Sequence, residues 1–189
     1  MKIFKTSILV FKDRDRYVSG EFRFRNGYGK GNPRKMVATW AEKELRNLKR
    51  INTAGIPSPT PILNKQNILV MTFLGHDGAA APRLKDCRFE DPEPIYRQTI
   101  GIMRTLYQEC HLVHADYSEY NLLYHDGLVH VIDVGQAVEH DHPSSLEFLK
   151  RDCFNINDYF RRIGTTTMGL NAMFEFITDI TPGNDDERW

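Results

Sequence analysis

The stretch His114-Ala115-Asp116-Tyr117-Ser118-Glu119-Tyr120-Asn121, HADYSEYN, decides how this chain is read. It is a polar run set between two apolar ones, HLV at 111–113 and LLY at 122–124. Within it Asp116 and Asn121 stand five positions apart. Aspartate and asparagine are common turn formers because their short side chains bond to nearby backbone. On that reading the run is a surface turn. The other reading is a loop that does chemistry, and it requires partners elsewhere in the chain.

The totals frame the search for those partners. A chain of 189 residues and 22.0 kDa suits one domain, or one and a fragment of another. A hydrophobic content of 41% with 11% aromatics is enough to bury a real core. Lys+Arg and Asp+Glu are 25 each, so total charge selects no partner. The distribution is uneven: Lys12 to Arg50 holds twelve Lys/Arg against five Asp/Glu, and the tail GNDDERW at 183–189 is acidic. A basic segment of this kind suits a nucleic-acid-facing surface or simply a solvated loop and helix face. Cys87, Cys110 and Cys153 are scattered, with no Cys-x-x-Cys pair. Neither a zinc framework nor a disulfide framework is indicated, and reduced, intracellular thiols are the simplest reading. No apolar run approaches the ~20 residues that a membrane span needs, so no membrane partner is expected. The start, MKIFKTSILVF, is too short and too quickly charged for a signal peptide.

Along the chain, KIFKTSILVF at 2–11 predicts a strand, and the charged, glycine-containing segment at 12–31 a long mobile loop. Asn32 and Pro33 suit the cap and first position of a helix running to about Ile51. Val37, Trp40, Ala41, Glu44, Leu45 and Leu48 recur on one face of it. The Gly/Pro-rich TAGIPSPTP at 53–61 ends that helix, and NILVMTFL at 67–74 predicts a strand. A connector at 75–86 leads to a helix over 93–110 with Ile95, Thr99, Ile102 and Leu106 inward, and a loop follows at 111–121. LLYHDGLVHVID at 122–133 predicts a hairpin, because Asp126-Gly127 is a strong turn signal. A loop at 135–143, a helix over 146–163 and a short last helix at 169–179 follow. The outline is α+β rather than an alternating parallel sheet.

Five residues in this outline form an ordered set. Lys2 lies on the first strand, Glu44 on the apolar face of the next helix, Asp116 and Asn121 on the loop, and Asp133 at the end of the hairpin. Phosphoryl transfer uses such parts: a lysine for the phosphates, a helix glutamate for that lysine, a loop aspartate for the acceptor, and an asparagine and aspartate for Mg²⁺. Each residue alone has a plain structural explanation. Glu44 is the oddest, since a carboxylate on an apolar face requires a partner. Glu42, two residues away, points about 200° round the helix.

LVHADYSEYNLLY, with VHVIDVGQAVEHDHPSSLEFLKRDCFNINDYF, resembles the RIO atypical protein kinases, and within them the first subfamily. KIFKTSILVFKDRDRYVSGEFRFRNGYGKGNPRKMVATWAEKELRNL is similar to that subfamily's lysine strand, flexible loop and lysine-partner helix. The resemblance covers nearly the whole chain. It implies a protein-kinase-like (RIO) fold of α+β class, with an incomplete N-lobe at 1–74, a reduced helical C-lobe at 75–182 and an acidic tail at 183–189. It implies ATP and Mg²⁺ as cofactors, with Asp116 as catalytic aspartate and Asn121 and Asp133 as metal ligands. Asp133 also matches an aspartate thought to be phosphorylated during the family's ATPase cycle. Lys2 matches the strand lysine, with Glu44 as its partner. Thr72 and Leu74 match the hinge that bonds adenine through backbone atoms, and Asp152 the carboxylate that braces the catalytic loop. The resemblance further implies a serine/threonine kinase and ATPase that acts in the cytoplasm on the maturing small ribosomal subunit, the pre-40S particle.

Departures from the family pattern add further expectations. The chain begins at Met1-Lys2, already at the lysine, so it reads as N-terminally truncated, without the phosphate-covering loop and with weakened ATP binding. GYGKG at 27–31 fits neither Gly-x-Gly-x-x-Gly nor the Walker pattern and reads as loop flexibility. About a dozen residues separate Asp133 from the next helix and no Ala-Pro-Glu follows, so hydrolysis coupled to a binding partner is favoured over phosphorylation of many proteins. EHDHP at 139–143 reads as a loop motif, since adjacent ligands chelate poorly without a distant donor. Two other readings stand beside the kinase: a small-molecule phosphotransferase of kinase-like fold, and an inactive scaffold for ribosome assembly.

Overall fold

A computed structural model describes residues 1–5 and 33–179. The continuation of the first strand to Phe11, the loop at 12–31 with GYGKG, the Asn32 cap and the tail at 183–189 lie outside the described residues. Strand β1 (Lys2–Ile3) pairs antiparallel with β3 (Ile68–Met71), placing Lys2 opposite Leu69. On its other side β3 pairs with β2 (Pro61–Lys65), giving the order β1-β3-β2. The Asn67 side chain donates to the Phe4 carbonyl at 2.8 Å, and its own carbonyl accepts from the Phe4 N–H at 2.9 Å. These two bonds fix the register that sets Lys2 over the site.

Helix α1 (Pro33–Thr53) packs on β2 and β3. Val37, Trp40, Ala41, Glu44 and Leu48 are buried on it as the spacing predicts, while Leu45 is half-buried and Ile51, Asn47 and Lys43 are buried as well. A fully buried Leu or Ile contributes about 1.5–3 kcal/mol relative to exposure, so the pair Leu48 and Ile51 alone holds this end of α1 firmly.

The chain then forms a small hairpin of β4 (Gly75–His76) and β5 (Ala79–Ala80), a 3-10 turn at Leu84–Asp86, and α2 (Glu93–Gln108). Next come β6 (Leu112–Val113) and the hairpin of β7 (Leu122–His125) with β8 (Leu128–Val131). Asp126 and Gly127 turn that hairpin with φ of 51° and 79°, the paired positive values of a type I′ turn. A 3-10 turn at Val134–Gln136 leads to β9 (Val138–Glu139), then α3 (Ser145–Arg162) and α4 (Leu170–Thr178). Helix α4 packs on both α2 and α3. Their shared core holds Tyr96, Ile100 and Met103, with Phe148, Ile156 and Phe160, and Met173 and Ile177. Cys110 and Cys153 are buried free thiols pushed up by burial to about 11 and about 12, so they are inert at neutral pH. Among the described residues no helix is long and apolar enough to cross a membrane.

The α+β arrangement is as expected, with four differences in detail, the first being that the connector expected at 75–86 holds the β4–β5 hairpin and a 3-10 turn. β2 has no counterpart in the sequence reading. It is a sheet edge whose Ile62 and Leu63 are exposed, so no inward-facing periodicity marks it, and Pro61 is tolerated because it opens an edge strand. β6 and β9 pair across the loops expected at 111–121 and 135–143, but two residues each are too few for any periodic signal. Ile102 is only half-buried; the inward face of α2 is Ile95, Tyr96, Thr99, Ile100, Met103 and Leu106.

Candidate active site

The site forms where β1, α1, the HADYSEYN loop and the turn after β8 meet. The Lys2 ammonium donates to both Glu44 oxygens, at 2.8 and 2.7 Å, and to Asp133 Oδ1 at 2.7 Å. An ammonium has three protons, and these contacts engage all of them. Burial by itself lowers the Lys2 pKa, but the Glu44 and Asp133 charges outweigh it and hold it above the ordinary value. Glu44 is almost fully buried and Glu42 is exposed, the division expected from their angular separation on α1. One turn on from Glu44, Asn47 is buried and donates to the Val134 carbonyl at 2.8 Å. At the end of the same face Arg50 forms a two-bond pair with Glu139, both at 2.9 Å. Thus α1 clamps the segment after Asp133 at three levels.

Asp133 sits in the left-handed region, with φ 58° and ψ 52°, and its side chain is exposed. Such a backbone is uncommon for aspartate and persists where surrounding structure enforces it. Two residues on, Gly135 packs on Glu44: a Cβ there would lie 3.1 Å from Glu44 Oε2.

The loop is built from the core outward. Tyr117 is fully buried and its hydroxyl donates to the Thr99 carbonyl at 3.0 Å. Asp152 on α3, also buried, accepts from the Ala115 N–H at 2.8 Å and the Tyr117 N–H at 3.0 Å. Ala115 has φ 69°, and Arg151 donates to its carbonyl. Burial pushes the Asp152 carboxyl up to about 8, against the pull of the two N–H donors. Each oxygen accepts from an N–H, which is the bonding pattern of the ionised carboxylate. His114 is buried against Tyr117, and its Nε2 lies 3.1 Å from the Ile132 carbonyl, which fixes the proton there. Glu119 is buried and paired with Arg162 at 3.0 Å. Between these anchors Asp116 alone of residues 112–119 is exposed.

Asn121 Nδ2 donates to Asp116 twice, at the carbonyl and at Oδ2, both at 2.9 Å. Its backbone carbonyl accepts from the Ile132 N–H at 3.1 Å. Since Leu122 pairs with Val131, Asn121 and Asp133 leave the same open end of the hairpin. Their amide and carboxylate oxygens suit a hard divalent cation such as Mg²⁺. At the end of β3 the Thr72 N–H donates to the Thr60 carbonyl at 2.9 Å, leaving the Thr72 carbonyl without a partner among the described residues. The Leu74 carbonyl accepts from the Ala81 N–H at 2.9 Å, leaving the Leu74 N–H likewise. One acceptor and one donor two residues apart match the edge of an adenine ring.

The structure thus brings Lys2, Glu44 and Asp133 into direct contact, sets Asp116 against Asn121, and places Asp152 beneath the loop. Sequence reasoning missed Asn47, Gly135, Arg151 and the anchoring role of His114 and Tyr117. Asn47 carried a signal, lying one turn from Glu44 on the same face; Arg151 carried none beyond adjacency to Asp152.

The sequence matches the family model described as the RIO domain over residues 1–173. The chain is 59% identical over 188 residues to the serine/threonine-protein kinase rio1 of Dictyostelium discoideum, covering 98% of this chain and 33% of that protein. It is 47% identical over 190 residues to the human serine/threonine-protein kinase RIO3, covering 99% of this chain and 37% of that protein. The higher identity to the first type agrees with the subfamily motifs. In three dimensions the chain is similar to the crystal structure of the Rio2 kinase–ADP/Mg²⁺–phosphoaspartate complex from Chaetomium thermophilum. The TM-score is 0.65 at 25% identity, covering 82% of this chain and 49% of that one. The chain spans about a third of the length of the curated relatives it matches.

Proposed function

Because this chain belongs to the RIO domain family, we propose that it performs ATP-dependent phosphoryl transfer as an atypical serine/threonine kinase and ATPase. The observation that carries this reading is the Lys2 ammonium bound at once to Glu44 and Asp133, residues brought together from distant parts of the chain. In this reading residues 1–74 act as the N-lobe and 75–182 as the C-lobe, with nucleotide held between them.

Adenine would lie along the hinge, accepting from the Leu74 N–H and donating to the Thr72 carbonyl. Lys2 would keep Glu44 and turn its third proton from Asp133 to the nucleotide phosphates. That exchange frees Asp133 for Mg²⁺, held with Asn121; the cation would offset phosphate charge. Asp116, exposed on a loop fixed from below, would orient the acceptor hydroxyl or water and take up its proton. Asp133 would also serve as acceptor: its carboxylate oxygen bonds to the γ-phosphorus as the bond to the ADP oxygen breaks. Water then cleaves the acyl phosphate and restores the carboxylate. The phosphoaspartate of the Chaetomium Rio2 complex supports this step. With α3 beginning at Ser145, only a short segment separates Asp133 from that helix where a peptide would dock, which favours hydrolysis coupled to a partner. The partner would be the pre-40S particle in the cytoplasm, a reading supported by the family resemblance and by the basic residues between Lys12 and Arg50.

The test is Mg²⁺-dependent ATP hydrolysis by the wild type, Asp116→Ala and Asp133→Ala. Both variants are expected to lose at least about 10²-fold in kcat, the scale of removing one transition-state contact. Phosphate trapped on the wild type is expected to be labile to hydroxylamine and absent from Asp133→Ala. Equal rates in all three proteins would sink the enzymatic reading and leave the scaffold.

A further inference from the structure

Two hairpin tips meet beside the hinge. The β4–β5 tip turns through Asp77 and Gly78, with φ of 50° and 81°, and the β7–β8 tip through Asp126 and Gly127, with 51° and 79°. The Tyr124 N–H donates to the Pro82 carbonyl at 2.9 Å, and Arg83 bridges to Leu123, so the two hairpins are locked side by side. This sets His76, ending β4, against His125, ending β7, with ring centroids 4.6 Å apart.

Asp126 lies between the two rings. His76 Nε2 is 3.0 Å from Asp126 Oδ1, and His125 Nε2 is 3.4 Å from Asp126 Oδ2. The three donor atoms lie within 4.8 Å of one another, and no other group of three such side chains does so among the described residues. A tetrahedral zinc with bonds of about 2.0–2.1 Å has donor-to-donor edges of roughly 3.3–3.4 Å, close to both contacts. Closing the remaining span needs only rotation of His76, whose side chain is 72% exposed.

We propose that His76, His125 and Asp126 form a site for a borderline divalent transition-metal ion, with Zn²⁺ the best fit. Two imidazoles and a carboxylate suit zinc, whereas Mg²⁺ prefers oxygens alone, so this site is chemically distinct from Asn121 and Asp133. EHDHP is not the metal site: His142 is buried, and its Nδ1 accepts from the Ser144 N–H at 3.1 Å. Because β4 directly follows Leu74 and the β7–β8 hairpin runs from Asn121 to Asp133, a bound zinc would staple the hinge to the metal-binding loops. The binding itself does not depend on the kinase reading.

The test is titration of the chelator-stripped chain with ZnCl₂ against a chromophoric zinc chelator, with Mg²⁺ in excess. One Zn²⁺ per chain is expected at micromolar Kd or tighter, with a zinc-dependent rise in Tm. His76→Gln and His125→Gln are each expected to weaken binding at least about tenfold, the lower end of what losing even a group that supports a metal ligand costs, and to abolish the Tm rise. His76 is exposed, so His76→Gln is expected to melt like the zinc-free wild type, which keeps the test independent of folding. Wild-type affinity in the His76→Gln variant, or no binding tighter than millimolar in the wild type, overturns the proposal.

Discussion

At the scale of single residues, the catalytic-loop candidates are held by groups that do no chemistry. Asp116 is exposed because its neighbours on both sides are buried, and Ala115 keeps its left-handed backbone because Asp152 and Arg151 grip both its polar groups. His114 shows how such an anchor makes the fold sensitive to pH. Burial lowers its pKa from the ordinary 6.5, although the Ile132 carbonyl and nearby carboxylates pull upward. Its Nδ1 has no hydrogen-bond partner among the described residues, so a proton there would be buried without compensation. The folded value lies below the unfolded one. Above 6.5 both states are neutral and the stability is fully present. As pH falls below that value the unfolded chain takes up the proton first, and stability is lost. Urea midpoints are therefore expected to drop between pH 7.5 and 5.5, and to drop less in His114→Phe, which keeps the ring packing on Tyr117. An equal drop in both proteins would assign the effect to other groups.

At the scale of elements, α1 is the part that joins the two halves of the site. Glu44, Asn47 and Arg50 follow one another at three-residue steps, so they line one face and reach Lys2, Val134 and Glu139 in turn. The sheet supplies Lys2, the turn after β8 supplies Asp133, and α1 fixes the distance between them. Gly135 measures how tight that junction is. A Cβ at 3.1 Å from Glu44 Oε2 must displace the carboxylate that holds Lys2. Since Gly135 has an ordinary backbone, Gly135→Ala is expected to change Tm little while lowering ATPase kcat about tenfold, the effect of roughly 1.4 kcal/mol lost from the transition state. A parallel collapse of Tm would show that the glycine serves packing alone. The tethers of the HADYSEYN loop are of another kind: Tyr117, Thr99 and Asp152 bind it to α2 and α3, not to α1.

At the scale of the molecule, the site lies between the sheet with α1 and the helical part, so ligands that bridge them should stabilise the whole. Mg²⁺ with ATP at a hundred times its Kd adds about 2.7 kcal/mol, which in a chain of this size raises Tm by roughly 5–10 °C. Asp133→Asn is expected to remove the Mg²⁺-dependent part of that rise, measured by calorimetry with and without the cation. The sequence by itself determined the parts: four helices, the Asp126-Gly127 hairpin, and the ordered set Lys2, Glu44, Asp116, Asn121 and Asp133. It could do so because apolar periodicity, turn chemistry and motif spacing are local and act over a few residues. It was silent on β2, whose apolar side chains face solvent, and on β6 with β9, which are too short to carry a period. Only the tertiary structure decided that Lys2 touches Glu44 and Asp133 together, that Asp152 reaches two N–H groups across the core, and that His76 meets His125 and Asp126. Those contacts join residues tens of positions apart. Their distances are set by how helices and hairpins pack, which no local pattern records.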